Sequence, residues 1–186
     1  ATTVINTLAL HDALPICSLT SVSRLANDLK SRGVAVGKDT LYDLLDHFVD
    51  AFLLFTISVF NRSLRVREAN PKKVYAVDPG LAFAVSPAGV SNTGARLENA
   101  VYLELRRRLR GTRDGAISYY SSAAGNEVDF IVGDPVTGHA TQLLQVCADM
   151  SKSNTREREI RALVEAMNET GLRESTIVSL HDSEDI

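Results

Sequence analysis

Asp129 stands in the middle of Asn126-Glu127-Val128-Asp129-Phe130-Ile131-Val132, a stretch that reads as a β-strand and is bounded by Gly125 and Gly133. A lone carboxylate there is expensive to bury without a partner or a metal. Two other residues bear on it. Glu98 follows Leu97 in a segment whose apolar residues Leu97, Val101, Leu105 and Leu109 recur every four positions, the spacing of a helix. Gln145 lies in Gln142-Leu143-Leu144-Gln145-Val146-Cys147, a second predicted strand. Carboxylates and an amide oxygen suit a hard divalent cation, so the chemistry these residue types support is metal binding.

The elements that must position them follow in a definite order. A helix carries Glu98; strands follow over 117–121, 126–132 with Asp129, and 141–148 with Gln145; a helix over 155–170 and a strand over 175–180 close the chain. This αβββαβ order, with Glu98, Asp129 and Gln145-Val146-Cys147, resembles the core of the PD-(D/E)XK nuclease superfamily. The resemblance implies that Glu98, Asp129 and Gln145 occupy the positions where active members hold one or two divalent cations, usually magnesium. It implies a Lys two residues after Gln145, and Cys147 stands there instead. A thiol is soft, small and usually neutral at pH 7, so it does not replace an ammonium beside a phosphodiester.

Each residue also has a plainer reading. Glu98 can pair with Arg96, Arg106 or a neighbouring amide. Strand alternation predicts Glu127 and Asp129 on one face, with Val128 and Phe130 on the other, and Arg96 or Lys73 as the counter-charge. Gln145 can be an amide satisfied within the sheet, and Cys147 a small apolar residue. Arg106, Arg107, Arg108, Arg110 and Arg113 form the strongest basic cluster. They suit a helix C-terminus electrostatically, or a contact with nucleic acid or an acidic partner. The Thr155-Arg156-Glu157-Arg158-Glu159 run reads as an ion-paired solvent face, with Ile160, Leu163, Val164 and Met167 toward the sheet.

The composition bounds the function classes. The 186 residues are 45% apolar and 23% charged, enough to bury a core, and the net charge of −3 exerts no general pull toward nucleic acid. Cys17 and Cys147 stand far apart with no CxxC, which indicates neither a zinc site nor a disulfide framework. Gly33 to Gly37 has three residues between the glycines, and Asp39 follows Lys38, so a phosphate loop is absent. The longest apolar run, 51–60, is too short to span a bilayer, and a cytoplasmic protein with no membrane partner is expected.

Residues 10–16, Leu-His-Asp-Ala-Leu-Pro-Ile, resemble a translated sequencing adapter, so 1–17 are expected to lie outside the fold and the chain to be a C-terminal fragment. Residues 18–69 read as a winged-helix-like domain: a helix over 21–32 capped by Ser21 and stopped by Gly33, and a second capped by Asp39 or Thr40. Apolar stretches 52–60 and 64–67 then flank a polar Asn61-Arg62-Ser63 turn. The second helix carries Asp39, Asp43, Asp46 and Asp50, which favours packing or protein contact over duplex binding. Residues 70–93 read as a connecting strand, turn and linker, and 94–186 as the nuclease-like α/β domain.

Taken with the Pro71-Lys72-Lys73-Val74-Tyr75-Ala76-Val77-Asp78-Pro79-Gly80-Leu81 segment, these features are similar to the uncharacterised C-terminal region of prokaryotic AAA-type ATPases. There an ATP-binding domain precedes a winged helix and a nuclease-like domain. The fold class expected is therefore α/β (α+β), and the function that of an effector or partner-binding module. ATP enters only through the preceding domain of the same protein, and magnesium only where the carboxylates retain a metal site. The competing expectations are a divalent-metal-dependent DNA endonuclease and a non-cleaving DNA-binding module.

Overall fold

The computed structural model describes residues 19–80, 93–110 and 117–180. The adapter-like segment, Cys17, Arg113 and residues 87–92 of the expected linker lie outside them. In chain order the elements are β1 (Leu19–Thr20), α1 (Val22–Ser31), α2 (Lys38–Asp50), β2 (Leu54–Ile57), α3 (Leu64–Ala69) and β3 (Lys72–Ala76). There follow α4 (Thr93–Arg108), β4 (Ile117–Ser121), β5 (Glu127–Asp134), β6 (His139–Val146), α5 (Ser153–Thr170) and β7 (Thr176–Val178). The fold is α+β, with helices and two sheets, as expected. The described residues form two compact units: 19–56 with 71–80, and 57–70 with 93–110 and 117–180.

In the first unit Ser21 caps α1, its side chain accepting from Arg24 N at 3.2 Å. Helical spacing then sets Val22, Leu25 and Leu29 against Leu41 of α2 and against Leu54, Val74 and Ala76 of the sheet. Gly33, at φ 81, takes the left-handed turn after α1 that a side chain would resist. Helix α2 starts from Gly37, without a side-chain cap, rather than from Asp39 or Thr40. The sheet runs β1-β3-β2, with Leu19 of β1 opposite Lys73 of β3 in antiparallel register. Strand β3 is the strand expected in the 70–93 segment, and it pairs within this sheet.

The stretch 64–67, an apolar stretch beyond the polar turn, is helical and belongs to the second unit as α3. The reason is local. Asn61 Oδ1 accepts from Ser63 N at 2.9 Å and Ser63 Oγ accepts from Val66 N at 3.4 Å, so the polar turn is a helix start rather than a hairpin.

The second unit continues as αβββαβ from α4 to β7, and its sheet runs β4-β5-β6-β7. The first three strands are antiparallel; β7 joins β6 in parallel, which requires the crossover through α5. Residues 58–60 extend the β4 edge, Phe60 N donating to Tyr119 O at 2.7 Å. Helix α5 packs Ala162, Leu163 and Ala166 on Val128, Ile131, Leu143 and Tyr120. On the opposite face α4 lays the Tyr102 ring over Phe130, with centroids 6.3 Å apart. Burying one aliphatic side chain is worth about 1.5–3 kcal/mol, so each cluster holds its own unit together.

Both helices turn differently from the apolar count. The buried face of α4 is Ala95, Glu98, Asn99, Tyr102 and Leu105, while Leu97 and Val101 are half-buried. On α5, Val164 is 50% exposed and Glu159 is buried.

Candidate functional site

Asp129 sits in a β-bulge. On β4, Ser118 pairs with Ile131 and Tyr120 with Val128, so Asp129 and Phe130 together oppose Tyr119. The extra residue breaks the alternation expected from sequence. Val128 packs on the α5 side with Ile131, whereas Phe130 turns to Tyr102 of α4. A bulge of this kind re-aims one side chain out of the regular pleat, and here that side chain is the carboxylate of Asp129.

Toward the same end of the sheet the β5–β6 ladder stops at Phe130 opposite Leu144. Side chains take over the backbone bonds beyond it. Asp129 N donates to Gln145 Oε1 at 3.0 Å, and Val146 N donates to Asp129 Oδ2 at 2.9 Å. The other end of the Gln145 amide donates from Nε2 to Glu159 Oε2 at 2.7 Å, on α5. Glu159 Oε1 in turn accepts from the exposed Arg158 guanidinium, at 2.5 and 3.1 Å. That bond, with the attraction of the carboxylate, raises the pKa of Arg158 above its usual value. Asp129, Gln145 and Glu159 are all buried. The Glu159 carboxylate, which accepts one hydrogen bond from Gln145 and is paired with Arg158, is therefore buried with its charge compensated.

The structure thus sets the Gln145 side chain on the backbone amide of Asp129, and the Asp129 carboxylate on the amide of Val146. Glu98 is buried on α4, beside the fully buried Asn99, on the side of the sheet that carries Phe130. The helix carboxylate bonded to Gln145 is Glu159, not Glu98. Sequence reasoning placed Glu159 on a solvent face, yet a signal was present: 159, 162, 163 and 166 share one helical stripe with two alanines and a leucine. Lys73 is buried in β3 of the first unit, and Arg96 is exposed.

Cys147 continues the sheet pairing, its N donating to Val178 O at 3.0 Å, and its thiol donates to Asp149 O at 3.3 Å. Burial pushes the thiol pKa up, so Cys147 stays neutral. At the end of α4, Glu104 holds Arg107 at 2.6 Å and Arg108 at 2.7 Å. Hydrogen bonds from these two arginines lower the Glu104 pKa to about 2. Two arginines of the cluster thereby share one carboxylate within the helix, and Arg106, Arg107, Arg108 and Arg110 remain exposed with a net positive charge.

These residues do not fit the divalent cation that the nuclease resemblance implies. Magnesium wants oxygens free to converge in a near-octahedral shell. Here the Gln145 oxygen is turned onto Asp129 N, and its amide nitrogen onto Glu159. Among the described residues, no group of three His, Cys, Asp or Glu side chains is placed to hold a metal ion.

An α+β chain whose second unit orders αβββαβ around a buried Asp–Gln–Glu network is the class that fold and site define. Residues 93–185 match the family model described as Domain of unknown function (DUF4143), and the chain belongs to that family. It is also similar to the uncharacterized protein MJ1544 of Methanocaldococcus jannaschii, 33% identical over 152 residues. Those residues are 82% of this chain and 32% of that protein, so the chain spans about a third of the relative's length. No solved structure matches the chain. No helix among the described residues is long and apolar enough to cross a membrane.

Proposed function

We propose that the chain is a partner-binding C-terminal module of a cytoplasmic, prokaryotic AAA-type ATPase, made of a winged-helix-like unit and a PD-(D/E)XK nuclease-like unit that does not cleave. The observation that carries this reading is the state of Gln145. Its oxygen and its amino group are both engaged inside the protein, by Asp129 N and Glu159, so the amide is a strut between β5, β6 and α5. A neutral Cys147 where the resemblance calls for Lys removes the positive charge that phosphodiester cleavage uses.

The αβββαβ order supports the nuclease-like assignment, and the two helices with a three-stranded sheet support the winged-helix one. The acidic exposed residues Asp39, Asp43, Asp46 and Asp50 on α2 favour a protein partner over duplex DNA in the first unit. An ATPase domain earlier in the same protein accords with the greater length of the archaeal relative. The test is a titration with magnesium and manganese, paired with a nuclease assay on duplex and single-stranded DNA. The proposal expects no heat of binding and no cleavage; metal-dependent cleavage lost in Asp129→Ala would replace it with the endonuclease reading.

A further inference from the structure

Away from Gln145, on the same helix, lies a group of oxygen atoms that the module described above does not use. Tyr120 is buried to 5% exposure, its ring packed among Ala162, Ala166 and Val128. Its hydroxyl makes no hydrogen bond, although a buried phenol normally finds a partner. Glu169 and Ser122 stand nearest to it, short of good hydrogen-bond geometry, and Glu165 lies one turn from Glu169 on α5. Burial first, then the approach and charge of Glu169 and the charge of Glu165, raise its pKa above the ordinary phenol value, against a smaller lowering by Ser122.

Glu165 is fixed by a short hydrogen bond from Asn126 Nδ2. Asn126 is itself set by the β4–β5 turn, where its N donates to Ser122 Oγ at 3.2 Å and its O accepts from Ser122 N at 2.9 Å. Glu165 is half-buried and Glu169 exposed, so the group opens to solvent at one side. No Lys or Arg among the described residues pairs with either carboxylate. Like charges at i and i+4 destabilise a helix, and a buried hydroxyl without a partner adds to the cost.

We propose that Tyr120, Glu165 and Glu169 form a binding site for a primary ammonium group. An ammonium carries three donors, no acceptor and one compact positive charge. Two carboxylates and one phenol oxygen supply three acceptors, relieve the repulsion between the glutamates and satisfy the orphaned hydroxyl. A guanidinium is planar and forked, which suits a bidentate carboxylate rather than three converging acceptors. The ammonium has two sources, a lysine side chain of a protein partner or a free small amine.

The test is an NMR titration of the full chain with n-butylammonium, followed at the Tyr120 ring and the Glu165 and Glu169 amides at constant ionic strength. The expected result is a saturable shift that weakens about fivefold or more in Glu169→Gln and about threefold in Tyr120→Phe, a variant that keeps the ring and the fold. Tetramethylammonium, with the same charge and no donor, should leave these signals in place. An acetylated, amidated Gly-Lys-Gly peptide that binds more tightly than butylammonium assigns the site to a lysine side chain; equal binding assigns it to a free amine. No saturable shift, an equal response to tetramethylammonium, or a tighter response to magnesium would overturn the proposal.

Discussion

Asp129 and Gln145 meet where the ladder between β5 and β6 gives out: the amide of Asp129 donates to Gln145 Oε1 at 3.0 Å, in place of the next backbone bond. The Asp129 carboxylate returns the exchange by accepting from Val146 N at 2.9 Å. Two side chains that the nuclease resemblance would turn toward a metal here stitch two strands together.

Removing the third member should show how much the stitch is worth. Glu159→Ala leaves the Gln145 Nε2 donor buried without its acceptor, which costs about 1–3 kcal/mol. Urea unfolding should register a midpoint lowered accordingly, with Glu159→Gln less affected because its amide oxygen still accepts. A Glu159→Ala midpoint equal to that of the wild type would mean that water or another group takes over the bond.

Tyr120→Phe should move stability the other way. The hydroxyl has no partner, so deleting it removes a desolvation cost and stabilises the second unit by about 1 kcal/mol or leaves it unchanged. A loss of about 1 kcal/mol or more in thermal unfolding would show that the hydroxyl is held after all.

The order of the second unit was legible because the periodicity changes between helix and strand three times and Gly125 and Gly171 fall at the boundaries. What was not legible depends on geometry that no residue pattern announces. The bulge at Asp129 adds one residue to β5, so Val128 and Phe130, which alternation puts on one face, part to opposite helices. Glu98 was expected at the edge of the buried face of its helix, and it is buried there. Glu159 was passed over because Arg156, Glu157 and Arg158 beside it read as a solvated run. Leu64 to Arg67 gives no clear period of its own, and Asn61 with Ser63 decides for a helix.

Glu104 should titrate with a midpoint of about 2 instead of its ordinary 4.5, because Arg107 and Arg108 both donate to it. A depressed folded pKa makes a contribution to stability that is present above the unfolded value and is lost as pH falls through the folded one. The side chains are exposed, so added salt should bring the midpoint back toward the ordinary value, as should Arg107→Gln. Carboxyl carbon shifts followed across the acid range measure it; a midpoint that ignores both salt and the substitution would contradict the pairing.

The same pairing bears on nucleic acid. The one Glu104 carboxylate offsets one of the two charges on Arg107 and Arg108. If the exposed cluster meets no phosphate, replacing Arg106, Arg107, Arg108 and Arg110 by Gln should leave any DNA affinity and its salt slope nearly unchanged. If the arginines did neutralise phosphates, the slope would instead fall by about 0.9 for every phosphate left without its arginine. A fall of about two or more units in fluorescence-anisotropy titrations would reinstate the DNA-binding module.

The central claim is that the Asp129–Gln145 pair is structural and holds no cation. Calorimetric titration with magnesium and manganese tests it most directly, beside Asp129→Ala as the control. The account predicts no binding heat in either protein up to about 10 mM, a range that covers affinities of weak oxygen-ligand sites. Saturable binding to the wild type that disappears in Asp129→Ala would contradict it.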